Sequence, residues 1–447
     1  MRSSFPAISV ASALLLGSLG LSAIGCSSEE AQCGAAATYG LSTDAATAEA
    51  GAVVTLKLSR TGPACAYEGG GAEDVTLEVV AGGGSLGTTT VPVPAAGSSV
   101  PWTLGHAPIR NAVRIAGDDD SEISVVAAVS TPIVPEIFGG LHEWLDGQGD
   151  KSTTEDLAFL ADGSVAMGID AGVVVGKLGD DGKVTWSKMA LTGDPLPRSH
   201  GMAFDRQGTL WTADTKGQAL HAISASGVVK THLTTNGNEP LKGPNDVAVA
   251  PGDWVIVSDP CRGELIAYDP KTEAVTDVHT FSLKTEGGPN GFAFWGDELY
   301  VVTENVTLLC PTAAEKPPAT DPLAALFKLS AKDGKFGAHT VIESGLGVFG
   351  DGMVFDAEGN LYVVVDTADG FALAESRVMV LRKGESKLVE FAAFKKDTVI
   401  ANVAFGVGAF GETTLYGALL AIPPFTGEDK RGLIRIPLGV KTHPLLP

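Results

Sequence analysis

Apolar and polar positions follow two different rhythms along the chain. Between about residues 33 and 131, short runs such as 53–58 and 75–80 alternate apolar with polar residues, and Gly-, Ala- and Ser-rich turns separate them. Successive side chains of a strand point to opposite faces, so this alternation predicts half-buried antiparallel strands. No helical period interrupts them. The region reads as a small β-sandwich.

After about residue 135 a longer phrase recurs. It reads TEDLAFLADGSVAMGI from 154, SHGMAFDRQGTLWTAD from 199, PNDVAVAPGDWVIVSD from 244, PNGFAFWGDELYVVTE from 289, GDGMVFDAEGNLYVVVD from 350 and ANVAFGVGAFGETTLYGA from 401. Each copy holds a polar residue, an alternating strand, a turn with Gly or Asp, and a second apolar strand. A period of this length with room for about four strands predicts propeller blades. The leading polar residues form a column, Glu155, His200, Asn245, Asn290, Asp351 and Asn402, at intervals of 45, 45, 45, 61 and 51. The long interval takes up an inserted Pro- and Ala-rich loop near 305–322. The run 135–145 is expected to add an outer strand to the last blade and close the ring, which removes exposed edges. The expected fold class is therefore all-β, a six-bladed β-propeller over 135–447 preceded by a small Ig-like β-sandwich over 33–131.

Charge narrows the partners. With 31 Lys+Arg against 53 Asp+Glu, the net charge of −22 excludes binding to a phosphate backbone, hence no nucleic acid. The 44% hydrophobic content suits a globular protein, and the 19% charged content leaves no acidic tail.

Residues 1–26 carry Arg2, an apolar run and small residues ending at Cys26, the layout of a lipoprotein-type signal peptide with lipidation at Cys26. Residues 27–32 make a polar tether. The expected location is the bacterial cell envelope, exported and either lipid-anchored or periplasmic, with the membrane touched only through that lipid. Four further cysteines in an oxidising compartment point to two sequence-local disulfides, Cys33–Cys65 and Cys261–Cys310, out of three possible connectivities.

In a propeller the inner strands surround one axis, so residues 45 apart become neighbours. Glu155, Asn245, Asn290 and Asp351 then offer oxygen ligands with two negative charges, a set suited to a hard cation such as Ca2+. Asp156 and Asp246 follow two column members and point the other way along their strands, where they could hold a second cation deeper in the channel.

The phrases PNDVAVAPGDWVIVSDP, PNGFAF and GDGMVFDAEGNLYVV resemble the gluconolactonase, senescence marker protein and luciferin-regenerating enzyme family. TEDLAFL, SHGM and PNDVAV also resemble the paraoxonase lactonases. The resemblance spans roughly 135–440. It implies that Glu155, Asn290 and Asp351 are ligands of a catalytic metal and that Asn245 is a ligand or a substrate contact. From the paraoxonase side it implies a structural calcium on Asp156 and Asp246 with the Met202 carbonyl. The chain departs from both patterns. Gly243 stands where the animal gluconolactonase pattern has Arg, Thr212, Ala213, Asp214 and Thr215 lack the second paraoxonase His, and Gly352 follows Asp351 as in gluconolactonases. In the first region, GGGSLGTTTVPV (82–93) and PWTLGHAPIRNAVRIAG (101–117) resemble invasin-type bacterial Ig-like domains, which implies a spacer.

Two functions stand at this level. One is a calcium-dependent lactonase or esterase-like hydrolase acting on a small lactone or ester, with Asp351 or His200 as general base and Asn245 binding substrate. The other is a non-catalytic cell-surface propeller that binds a ligand or partner. No G-x-S-x-G elbow supports a covalent serine route. A monomer is expected.

Overall fold

The computed structural model describes residues 37–61, 73–94, 96–170, 172–307, 309–310, 317–318, 321–369, 372–395, 399–420 and 431–443. Cys26 and the Cys33–Cys65 pair lie outside the described residues. Two compact units emerge. The first comprises the described residues up to Leu104 together with Arg110–Ala127, and the second comprises Gly105–Ile109 and the described residues from Ala128 onward. The first unit thus ends nearer 127 than the expected 131, and five residues within its span belong to the second.

The first unit has two antiparallel sheets. One runs Thr38–Thr43, Val53–Thr61, Ser98–Thr103, Ser85–Leu86, and the other Thr47–Glu49, Asp118–Ala128, Arg110–Ile115, Glu73–Ala81, Thr90–Val93. The alternation read from sequence is visible in Val53–Thr61, where Val54, Leu56 and Leu58 are buried between exposed neighbours. These side chains meet Leu77, Trp102, Val113 and Val125 from both sheets in one core.

The second unit contains six sheets, antiparallel except that the short Thr192–Gly193 pairs parallel with Val228–Leu233. Their innermost strands are Thr154–Phe159, Met202–Phe204, Val247–Val249, Gly288–Trp295, Phe349–Phe355 and Val399–Phe405. Each inner strand touches the next, and the last touches the first, so the six form a closed ring. Closure also uses both ends of the unit, because Glu136–Phe138 pairs antiparallel with Gly432–Pro437 as the outer strand of the sixth blade. This is a six-bladed propeller. The run 135–145 divides, however: after Glu136–Phe138 comes a helix, Leu141–Gly147, whose Leu141 and Leu145 lie one turn apart and are both buried.

Sequence dictates the blades through two devices. The turn between inner and second strand recurs as Asp followed closely by Gly. The Asp205 carboxylate accepts from the backbone N–H of Gln207 and Thr209, and that of Asp356 from Glu358 and Asn360. Gly208 and Gly359 take φ of +79° and +88° in these turns, a region closed to most side chains. The second device is a separate apolar cluster at each blade interface. Trp211, Val255, Ile266 and Tyr268 join blades two and three, for example, while Tyr362, Val378, Ile400 and Ile434 join five and six. Strands buried on both faces therefore read as apolar runs.

Candidate functional site

The column residues sit where the inner strands begin, and the backbone there is irregular. Pairing of inner and second strands slips between Thr154 and Leu157, between Pro289 and Phe292, and between Gly350 and Met353. Each slip is a bulge that re-aims the side chains within it. Glu155, Asn290 and Asp351 occupy these slips. His200 and Asn245 lie just ahead of their strands, held by N–H bonds to the carbonyls of Ala213 (2.9 Å) and Ser258 (2.9 Å). Small residues allow the inner strands to come this close: a Cβ at Gly201 would strike the Asp246 backbone, and one at Gly291 the Asp351 carbonyl.

Five of the six column residues line one axial cavity of about 230 Å³, namely Glu155, His200, Asn245, Asn290 and Asp351. The sixth, Asn402, is turned elsewhere. Its side chain bonds Asp156, and its Oδ1 accepts the N–H of Val403 at 2.7 Å. Arg198, Thr215, Glu304 and Asp366 line the same cavity, and Leu309, Phe349, Val399 and Leu420 give it apolar walls. Arg198, Glu304 and Asp366 were not picked out as site residues from sequence.

One wall is cationic and already paired. Arg198 Nη2 lies 3.0 Å from Glu155 Oε2 and 3.5 Å from His200 Nε2, and its Nη1 is 3.9 Å from Asp170. Glu155 also contacts His200 Nε2. Burial holds the His200 imidazole neutral, pushing its pKa down to about 3 against the pull of Asp214. The Thr215 hydroxyl lies against His200 Nδ1 and 3.1 Å from the Pro244 carbonyl, while His200 Nε2 faces Glu155 and Arg198.

The opposite wall is acidic and poorly partnered. Asn290, Glu304 and Asp366 are each at most 3% exposed, and Asn290 Oδ1, Glu304 Oε1 and Asp366 Oδ1 have no hydrogen-bond partner. Asn290 Nδ2 donates to Glu304 Oε2 at 3.2 Å, which leaves the amide oxygen as the free end. Burial raises Glu304 to about 8 and Asp366 to about 7. Asp351 is held well above the usual carboxylate range by burial, then by the charges of Asp366, Glu304, Asp246 and Asp156.

Asp156 and Asp246 lie together below this cavity. Both are buried, and burial first and then the nearby Asp246 charge raises Asp156, while burial raises Asp246 to about 7. Backbone donors serve both: Leu157 N–H reaches Asp156 at 2.6 Å and Val247 N–H reaches Asp246 at 2.8 Å. Met202 donates its N–H to Asp156 as well.

The expected Cys261–Cys310 disulfide is present and both cysteines line the cavity. Among the described residues no group of three or more His, Cys, Asp or Glu stands ready to hold a metal, so a cation here would also draw on asparagine oxygens. The donors facing the cavity fit a hard cation in type: they are oxygens, and several are unpartnered, although Arg377 lies near enough to Asp366 to oppose its charge.

No family model matches this chain, and no curated protein matches it. Solved structures do. A gluconolactonase from Xanthomonas campestris is 15% identical, covering 64% of this chain and 86% of that one at a TM-score of 0.44. A luciferin-regenerating enzyme is 14% identical, covering 70% and 97% at 0.44. A catalytically inactive virginiamycin B lyase from Staphylococcus aureus, solved with quinupristin, is 12% identical, covering 87% and 100% at 0.43. Two of these belong to the group that the repeated phrases resemble. The propeller assignment rests on the closed ring of blades itself.

Proposed function

We propose that this chain is a calcium-dependent hydrolase that opens a small lactone or related ester in the axial cavity, exported and lipid-anchored through Cys26. The observation that carries the reading is the convergence of Glu155, His200, Asn245, Asn290 and Asp351 on one cavity. At about 230 Å³ it suits one small ring. Asn290 and Asp351, with Asn245 and Glu155 across the cavity, are the residues that would hold the cation. Calcium bound there supplies Lewis-acid polarisation of the ester carbonyl and charge for the oxyanion.

The protein's own groups do the rest. His200, held neutral by burial, takes the proton of an attacking water, and Thr215, itself bonded to the Pro244 carbonyl, holds its ring. Arg198 draws on the same Glu155 oxygen that contacts Nε2, which keeps that carboxylate from being the sole partner of the base. Leu309, Phe349, Val399 and Leu420 exclude bulk water and shape the slot for an apolar ring. Asp156 and Asp246 would take a second, structural cation, or else share a proton.

The test is hydrolysis of γ- and δ-lactones and phenyl acetate with calcium and with chelator. Chelation is expected to abolish turnover and calcium to restore it. In the Asp351→Ala/Asn290→Ala double variant the rate is expected to fall by about 100-fold or more, as for loss of electrostatic stabilisation at a reacting oxygen. Turnover that survives in the double variant overturns the mechanism. Binding without turnover of any ester makes the chain a binding propeller.

A further inference from the structure

The insertion that lengthens the fourth repeat sets an apolar side chain beside the cavity and ties it there. The interval from Asn290 to Asp351 is 61 residues, against 45 for the repeats before it. Within it the buried Asn305 bonds in three directions. Its Nδ2 donates to the carbonyls of Pro318 at 2.8 Å and Asp321 at 3.1 Å, its Oδ1 accepts the Thr307 N–H at 3.0 Å, and its own N–H donates to the Val348 carbonyl at 2.8 Å. Cys310 donates its N–H to the Val306 carbonyl at 2.8 Å, and the disulfide joins it to Cys261 of blade three. Val306 and Cys310 are buried against Cys261 and Leu283 in a small apolar cluster.

Between these anchors stands Leu309. Among the described residues that line the cavity it alone is exposed, at 41%. A single exposed leucine on an open surface is ordinary. This one belongs to a concave wall, and its backbone is tied at the next residue, so a ligand that covers it has little chain freedom to remove. Strand direction gives its level. Phe349 precedes Asp351 by two residues, and Val399, paired with Leu420, opens its strand three residues before Asn402. Cys261 and Leu309 follow the second strands of blades three and four, Val255–Asp259 and Glu298–Glu304. All therefore lie on the loop side of the column, where hydrocarbon and sulfur flank the way out of the cavity. Gly243 leaves room for that sulfur: a Cβ there would lie 2.7 Å from Cys261 Sγ, so the disulfide takes the space of any side chain two residues before Asn245.

We propose that Leu309, fixed by the Cys261–Cys310 disulfide, determines the specificity of this site, and that with Phe349, Val399 and Leu420 it takes a hydrocarbon chain carried by the ester ring. The inference rests on the reading that the cavity holds a small ester, and it names which esters: those whose ring bears an alkyl chain rather than hydroxyl groups. A hydroxylated chain finds no hydrogen-bond partner on Leu309 or on the disulfide and loses water there. Each methylene withdrawn from water favours the bound state by up to about fourfold.

The test is hydrolysis of γ-butyrolactone, γ-octalactone and γ-decalactone, whose rings carry no chain, a butyl chain and a hexyl chain. The parent is compared with Leu309→Ala and with a Cys261→Ser/Cys310→Ser double variant. In the parent kcat/KM is expected to rise with chain length. The ratio of γ-decalactone to γ-butyrolactone is expected to fall about 10-fold in Leu309→Ala, the scale of a leucine partly covered by its ligand. The double variant keeps Leu309 but unties it, and is expected to lose the same selectivity; melting checks that it is folded. A Leu309→Ala ratio equal to that of the parent overturns the assignment, as does a parent rate that is flat or falling with chain length. A folded double variant with the parent's ratio overturns the role of the disulfide. If no lactone is opened, the same three compounds are titrated by calorimetry. Affinity that climbs with chain length in the parent and not in Leu309→Ala keeps the subsite while the hydrolase reading fails, and no binding at all ends both.

Discussion

The two sides of the propeller axis solve the same problem differently. In blades one to five an acid stands at the end of the second strand. Blades two and three turn Asp214 and Asp259 inward to tie down the chain that leads to the next strand or column residue. In blades four and five Glu304 and Asp366 line the cavity, each with one oxygen unpartnered, as Asp214 Oδ2 also is in blade two. The first arrangement ties loops to the blades; the second sets carboxyl groups, held toward the protonated form by burial, in the cavity wall. Identical strand positions thus carry structure on one side and chemistry on the other, and the difference lies in what the neighbouring loop offers.

The largest expected effect is that of pH, and it sums over both sides, since burial also raises Asp259 of blade three to about 6. Glu304, Asp366 and Asp246 are held at about 8, 7 and 7, far above the value near 4 expected of an unfolded carboxyl. Between those limits the folded chain binds more protons than the unfolded one, so stability is full below about pH 4 on this account and declines as pH rises toward 8. Melting temperature in chelator is expected to fall across pH 5 to about 8.5, and calcium is expected to flatten the slope by replacing the protons. A chelated protein whose melting temperature rises over this range would break the contrast.

Next in size is a pair of substitutions. Asp259→Ala removes the acceptor of two backbone N–H groups, and an unsatisfied buried donor costs about 1–3 kcal/mol. A loss of about 2–3 kcal/mol is expected in urea unfolding. Glu304→Gln, measured in chelator, is expected to leave stability unchanged or higher, because it removes a like charge beside Asp351 and Asp366. Equal losses in both variants would show that the acid of blade four is structural as well.

The repeat made much of this legible before any geometry. Three intervals of 45 residues placed the column, and five of its members do meet. The closing strand before the first blade was legible too, because an apolar run ahead of six phrases has one open edge to fill. The helix Leu141–Gly147 was not, since two leucines four apart in seven residues are too short a pattern to outweigh a strand. Glu304 and Asp366 were missed although their spacing matches the column, because an acid ending an apolar strand reads as a turn residue. Only the partners distinguish Asp259, held by two N–H groups, from Glu304, and partners are set by loops whose paths the pattern does not encode. Arg198 stands two residues before His200 in a loop, and only folding shows that it reaches Glu155. Asn402 fits the column by type, yet the slip between Ile400 and Asn402 points it toward Asp156.

The smallest expected effect tests the outer edge of the comparison, where Asp170 meets Lys216. Their ends are 2.7 Å apart, but the side chains are 30% and 54% exposed, so water and salt screen the pair. Lys216→Ala is expected to change stability by less than about 1 kcal/mol, with the difference vanishing in high salt. Arg198 adds a second cation near Asp170 at 3.9 Å, which further dilutes the contribution of the lysine. Urea unfolding at low and high ionic strength reads the effect directly. A larger loss, or one that persists in salt, would mean that Asp170 is anchored as firmly as Asp259, and that the sturdy side of the axis extends through the first blade to the edge of the cavity at Glu155.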